Sequence, residues 1–197
     1  MIGALPEVLT VGGEDYSIRT DYRNILQTFE AFQDPELHPE EKWIVAIYLL
    51  FEDFSCADDV IQAAQDGFDL DDVQKQISWF IHAGQPEKQV LEQPTYNWTQ
   101  DEQMIFSAVN KVAGKETREL DYLHWWTFLG YFNEIGEGTF SFIVGIRDKL
   151  NNHKKLEKHE REFVMKNKKL VKLESPKTES ELAEEMENQA IRDEVFG

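Results

Sequence analysis

The strongest constraint on this chain is a helical period in its apolar residues, interrupted again and again by Gly, Pro and Asp. Tyr22, Ile25, Leu26, Phe29 and Phe32 fall on one stripe, the spacing of an amphipathic helix. Thr20 or Asp21 can cap its start, and Asp34-Pro35 stops it. Pro39 opens the next stretch, with Trp43, Ile44, Ile47, Tyr48, Leu50, Phe51 and Phe54. Val45, Ala46 and Leu49 fall off that stripe, which predicts the most buried helix. A short helix opening at Ser55 or Ala57 ends at Gly67. Asp69 or Asp71 caps another, carrying Val73, Ile77, Phe80 and Ile81 and ending at Gly84.

Residues 84–98 hold two prolines and no sustained period, so they read as an internal loop. Thr99-Gln100-Asp101-Glu102 then reads as a capping box. It precedes a helix with Ile105, Phe106, Val109 and Val112 that ends at Gly114. A further helix is predicted from about Glu119 through LDYLHWWTFLGYFNEI, and another from near Thr139 to Leu150. Apolar stripes of this kind are buried by packing helix on helix. The predicted fold class is therefore mainly α, a compact helical domain. One short β-hairpin precedes it, Val8–Ile18, turning at Gly12-Gly13. Two strands alone are marginal, so the hairpin must lie on the helices or pair with another chain. The predicted organisation is hairpin 1–19, helical core 20–150, charged helical arm 151–173 and a mobile acidic tail 174–197.

Charge is spread unevenly. Residues 1–103 hold 21 acidic and 5 basic residues, residues 147–172 hold 4 and 10, and residues 174–197 hold 8 and 2. A net charge of −18 argues against nucleic acid and anionic membranes as partners. The basic stretch is either a solvated face or a docking surface for an acidic partner or the acidic half of a second copy. The N-terminus lacks the basic and apolar runs of a signal peptide. No uncharged apolar stretch is long enough to span a bilayer. The expected compartment is the cytoplasm. The single cysteine, Cys56, follows Phe54-Ser55 and is expected to be buried rather than reactive.

The chain offers little for catalysis. It has no Gly-rich phosphate loop, nucleophile elbow or His-Glu-x-x-His. His153 and Glu157 have a ligand-like spacing, but Lys154, Lys155 and Lys158 beside them oppose a cation. Adjacent acidic pairs such as Asp58-Asp59 diverge on a helix and cannot converge on one atom. No metal, cofactor or enzymatic activity is predicted. One cluster stands out, Leu123-His124-Trp125-Trp126-Thr127-Phe128-Leu129-Gly130-Tyr131-Phe132, in which five of ten residues are aromatic. It is either a helix packed on all sides or an interface anchor, since Trp and Tyr dominate binding hot spots. Trp125 and Trp126 leave a helix about 100° apart, which predicts different roles. The candidate partner-binding residues are His124, Trp125, Trp126, Phe128 and Arg147.

At this cluster the chain resembles the bacteriophage family named for a fifteenth gene product, from phages and prophages of Gram-positive bacteria. The matching pieces run in order. They are Tyr16-Ser17-Ile18-Arg19-Thr20-Asp21-Tyr22-Arg23, then Glu41-Lys42, then Tyr96-Asn97-Trp98-Thr99-Gln100-Asp101-Glu102, then Leu123-His124-Trp125-Trp126-Thr127-Phe128, and last Ile143 to Arg147 with its basic follow-on. The likeness covers roughly residues 8–170. It departs at Met104–Val109 and at Ala113–Thr117, where the family carries other residues. The resemblance implies a non-enzymatic tail assembly chaperone that binds the tape-measure protein, a long helical chain with apolar stripes. Other tail proteins are alternative partners, and self-association is compatible with the charge pattern. The alternative functions are a structural tail or connector component kept in the particle, and a helical hydrolase whose carboxylate site the sequence does not reveal.

Overall fold

In the computed structural model, which describes residues 3–85, 93–183 and 186, the predicted stripes form helices buried along one side. Strands β1 (Val8–Val11) and β2 (Glu14–Ser17) lead into α1 (Tyr22–Gln33), α2 (Pro39–Leu50), α3 (Ala57–Gln65) and α4 (Leu70–Ile81). After the internal loop come α5 (Glu102–Ala113), a 3-10 turn (Thr117–Glu119), α6 (Trp125–Asn133) and α7 (Thr139–Asn151). The short helices α8 (Lys158–Lys166) and α9 (Lys168–Val171) follow. The fold is mainly α, with one antiparallel hairpin.

The hairpin behaves as its sequence requires. Gly12 and Gly13 both take positive φ, 60° and 90°, the geometry of a two-residue turn whose twist matches the strands. Leu9 and Val11 point inward and are 2% exposed, while Val8 on the other face is open. β1 packs on α4, and the Gly12 N–H donates to the Asp72 carboxylate at 2.9 Å. The two strands therefore use the helices as their missing layer.

Arg19 joins the hairpin to α2. Its guanidinium donates to the carbonyls of Tyr48, Phe51, Glu52 and Phe54. These lie in and just after the last turn of α2, where helix carbonyls lack intrahelical partners and favour a cation. Asp21 caps α1 by accepting from the Arg23 N–H at 3.0 Å. It also accepts the Leu123 N–H at 2.9 Å, which fixes the segment before α6 against α1.

Three local expectations change. The helix predicted from Glu119 starts only at Trp125. Residues 120–124 stay outside the helix because the chain here is tied to the start of α1: the Tyr22 N–H donates to the Leu123 carbonyl, and the Trp125 N–H to the Thr20 carbonyl. The Thr99–Glu102 capping box does not form. The Asn97 side chain accepts the N–H groups of Thr99 and Gln100 instead, and Asp101, the residue at the N-cap of α5, turns its carboxylate to Arg147. Cys56 is exposed, since it occupies the surface N-cap of α3, where Asp59 accepts its N–H at 3.3 Å.

The charged segment after α7 is divided. His153 takes a left-handed φ of 53° at the end of α7, and Glu157 caps α8, so the two do not share a helix turn. Glu160 accepts from the Lys149 ammonium at 2.6 Å, and this bond holds its carboxyl below the usual range. α9 packs on α7 and buries Val171. In the tail, the Glu179 N–H donates to the Glu36 carboxylate at 2.8 Å.

Arg19→Met should cost about 2–3 kcal/mol, the scale of losing charge-assisted bonds to carbonyls, read by urea unfolding. A cost below about 0.5 kcal/mol would show that the clamp is idle. Glu116 offers a pH signature. Hydrogen bonds from the Arg118 side chain, then from Asn110, hold its carboxyl down to about 2 against an ordinary 4.5. A depressed carboxyl stabilises the fold above its unfolded value and loses that contribution as pH falls. The stability gap between the native chain and Glu116→Gln should therefore be full above pH 4.5 and close as pH falls towards about 2.

Candidate functional site

The aromatic cluster is built around the start of α6. His124 is its N-cap: Nδ1 accepts the Trp126 N–H at 3.0 Å. A backbone N–H can only donate, so Nδ1 is the acceptor and the ring proton sits on Nε2. Nε2 then donates to the Pro6 carbonyl at 3.0 Å. One imidazole thereby caps a helix and anchors the segment before the hairpin. His124 is 3% exposed, and its bonds fit this architectural use.

The tryptophan pair serves one neighbour through two faces. The Trp125 indole N–H donates to the Ile81 carbonyl, and that of Trp126 to the Phe80 carbonyl, both at 2.8 Å. Both acceptors lie in the last turn of α4, where carbonyls need partners from outside the helix. Trp125 is 1% exposed and packs with Phe29, Trp98 and Phe128. Phe128 is fully buried and stacks on Tyr22 at 4.5 Å. Trp126 is only partly buried.

Beyond Trp126 lies a residue that the helical stripes did not single out. Trp79, on α4, meets the Trp126 ring edge-on at 5.4 Å and is 41% exposed. Gly84 closes the other side with a positive φ of 74°, where a Cβ would stand 3.4 to 3.6 Å from both indoles. Beside them is a groove of about 820 Å³ lined by Trp43, Asp71, Lys75, Trp79 and Gly84. The signal for Trp79 was its place off the apolar face of α4, away from Val73, Ile77 and Phe80.

Arg147 lies apart from this cluster and is 3% exposed. Its guanidinium clamps the Asp101 carboxylate with both terminal nitrogens. Nε donates to the Val171 carbonyl and Nη2 to that of Leu170, both at 2.8 Å. Nη1 reaches the Thr95 carbonyl at 3.1 Å. The planar fork suits this bidentate use. It ties α7 to the start of α5, the internal loop and α9. Nearby, burial pushes the Tyr96 phenol pKa up.

The structure thus places His124, Trp125 and Phe128 together in the interior, Trp126 at its edge and Arg147 in a second buried centre. Among the described residues, no group of His, Cys, Asp and Glu is arranged to hold a metal. No helix among them is long and apolar enough to cross a membrane.

Removing one partner of the buried pair should be severe. Arg147→Met or Asp101→Ala should each cost about 3–5 kcal/mol by denaturant unfolding, because an uncompensated buried charge remains. The double variant should cost clearly less than their sum; strict additivity would mean that the two charges do not act as a unit. Trp125→Ala should also cost about 3–5 kcal/mol.

Compared with curated proteins and with solved structures, the chain matches none. A protein-family model described as Bacteriophage Gp15 protein matches residues 1–173. That span includes the hairpin, the aromatic cluster, Arg147 and both short C-terminal helices. The chain therefore belongs to the bacteriophage Gp15 protein family.

Proposed function

We propose that this protein is a non-enzymatic phage tail assembly chaperone that binds the tape-measure protein in the host cytoplasm during tail morphogenesis. Family membership supports a role in building the phage. The observation that carries the finer reading is the open indole of Trp79, braced edge-on against Trp126 beside a groove. An exposed aromatic anchor on a rigid helix suits the apolar face of a partner helix. Tape-measure chains carry long apolar stripes that need cover before the tube forms around them. A net charge of −18 keeps such a loaded complex in solution.

In this reading the five residues divide their work. Trp126 supports Trp79 at the surface. His124, Trp125 and Phe128 hold the frame, and Arg147 fastens α7 to the start of α5 and to α9. The partner surface is then the α4 face around Trp79.

The test is co-expression with the tape-measure protein of the same phage, followed by affinity capture. Trp79→Ala should keep the native melting temperature and lose most of the captured partner. Undiminished capture would eliminate Trp79 as the anchor. The protein should also be missing from mature tails by mass spectrometry; stoichiometric presence there would favour a structural tail component instead.

A further inference from the structure

The helices pack as a series. α3 lies on α2, α2 on α1, α1 on α6, α6 on α5, α5 on α7, α7 on α9 and α9 on α8. The ends of that series carry opposite charge. On α3 and the loops flanking it, Glu52, Asp53, Asp58, Asp66 and Asp69 are all exposed. Ile61 and Leu70, 42% and 37% exposed, accompany them. On α8 and α9, and just after them, Lys158, Arg161, Lys166, Lys168, Lys169 and Lys172 are all exposed. Met165 and Leu170, 66% and 38% exposed, accompany those. None of these six cations makes an ion pair among the described residues.

The outward spacing matches as well. Asp58, Ile61 and Gln65 share one exposed face of α3, and Lys158, Arg161 and Met165 share one of α8. Each face is a short helix with charge at its start and an apolar side chain within reach. Two like faces would repel, which disfavours a two-fold dimer through either one. Opposite faces attract and steer encounter.

We propose that the acidic α3 end of one copy docks on the basic α8–α9 end of a second copy. The contact joins two different surfaces, so each pair leaves one end of each kind open. Such heterologous contacts close into rings or grow as open arrays. The described part of the acidic tail does not compete for the basic end. It turns to the end of α1 and the turn after it, where the Glu179 N–H meets Glu36 and Leu182 lines a cavity with Glu30 and Gln33.

Sedimentation velocity on the purified full chain tests it. In about 20 mM salt the weight-average coefficient should rise with concentration, and in about 500 mM salt that rise should vanish, as screening shortens the range of the contact. Lys166→Glu/Lys169→Glu should sediment as a monomer, and so should Asp58→Lys/Asp66→Lys. An equimolar mixture of the two should associate again, because the unaltered acidic end of the first variant then meets the unaltered basic end of the second. Helical circular dichroism checks both folds; Lys158→Glu/Lys172→Glu replaces the first variant if its signal falls. A native chain that stays monomeric in low salt at all concentrations overturns the proposal. So does a variant that still associates alone, or a mixture that restores nothing. Association only after residues 177–197 are deleted would show that the tail fills the basic end in cis, and the proposal would fail.

Discussion

A guanidinium removed from water must satisfy its donors or lose several kcal/mol of desolvation without compensation. Arg147 meets that demand by drawing three separate parts of the chain onto α7. It holds the carboxylate of Asp101, the carbonyl of Thr95 and the carbonyls of Leu170 and Val171. Those partners belong to the start of α5, the internal loop and α9. The C-terminal third of the fold is thus organised by a polar centre. The same clamp explains why Asp101 leaves α5 without a side-chain cap, and why Asn97 supplies the bonds just upstream.

The N-terminal part uses a related logic with different residues. Arg19 collects the last carbonyls of α2, and the two indoles of α6 collect those of α4. Helix ends are the costly places in an all-helical protein, because their backbone groups have no partners within the helix. Here the side chains that satisfy them come from distant sequence positions. Each such bond is also a long-range constraint. Fastening the end of α4 to α6 presents Trp79 at the surface on a rigid support, and the proposed partner contact builds on that rigidity.

Burial also sorts the aromatic residues by use. Trp125 and Phe128 are closed on every side, as a helix packed all round requires. Trp126 marks the transition, and Trp79 stands outside it. The cluster in the sequence therefore lies beside the surface aromatic rather than being it. The acidic and basic ends form a second surface feature, independent of the aromatic one, and they suit self-association rather than capture of a foreign helix.

The helices were legible because apolar side chains at a 3.6-residue period can be buried only along one side. Asp21, Pro39, Asp69 and Gly114 marked their boundaries through backbone chemistry that acts within a turn. The Gly12-Gly13 turn was equally local. His124 and the Trp pair could be singled out, since a run of aromatics is visible without coordinates. Tertiary structure alone decided that residues 120–124 stay outside the helix, that Cys56 lies outside and that Trp79 is the open ring. It also decided that Arg147 is structural in its contacts. Three of these depend on a partner far along the chain, Leu123 on Tyr22, Trp126 on Phe80, Arg147 on Asp101, whereas Cys56 sits at a surface cap whose bonding partner, Asp59, is only three residues on. A local pattern fixes which side of a helix is apolar. Only the packed fold fixes what that side, or a lone polar residue, finally meets.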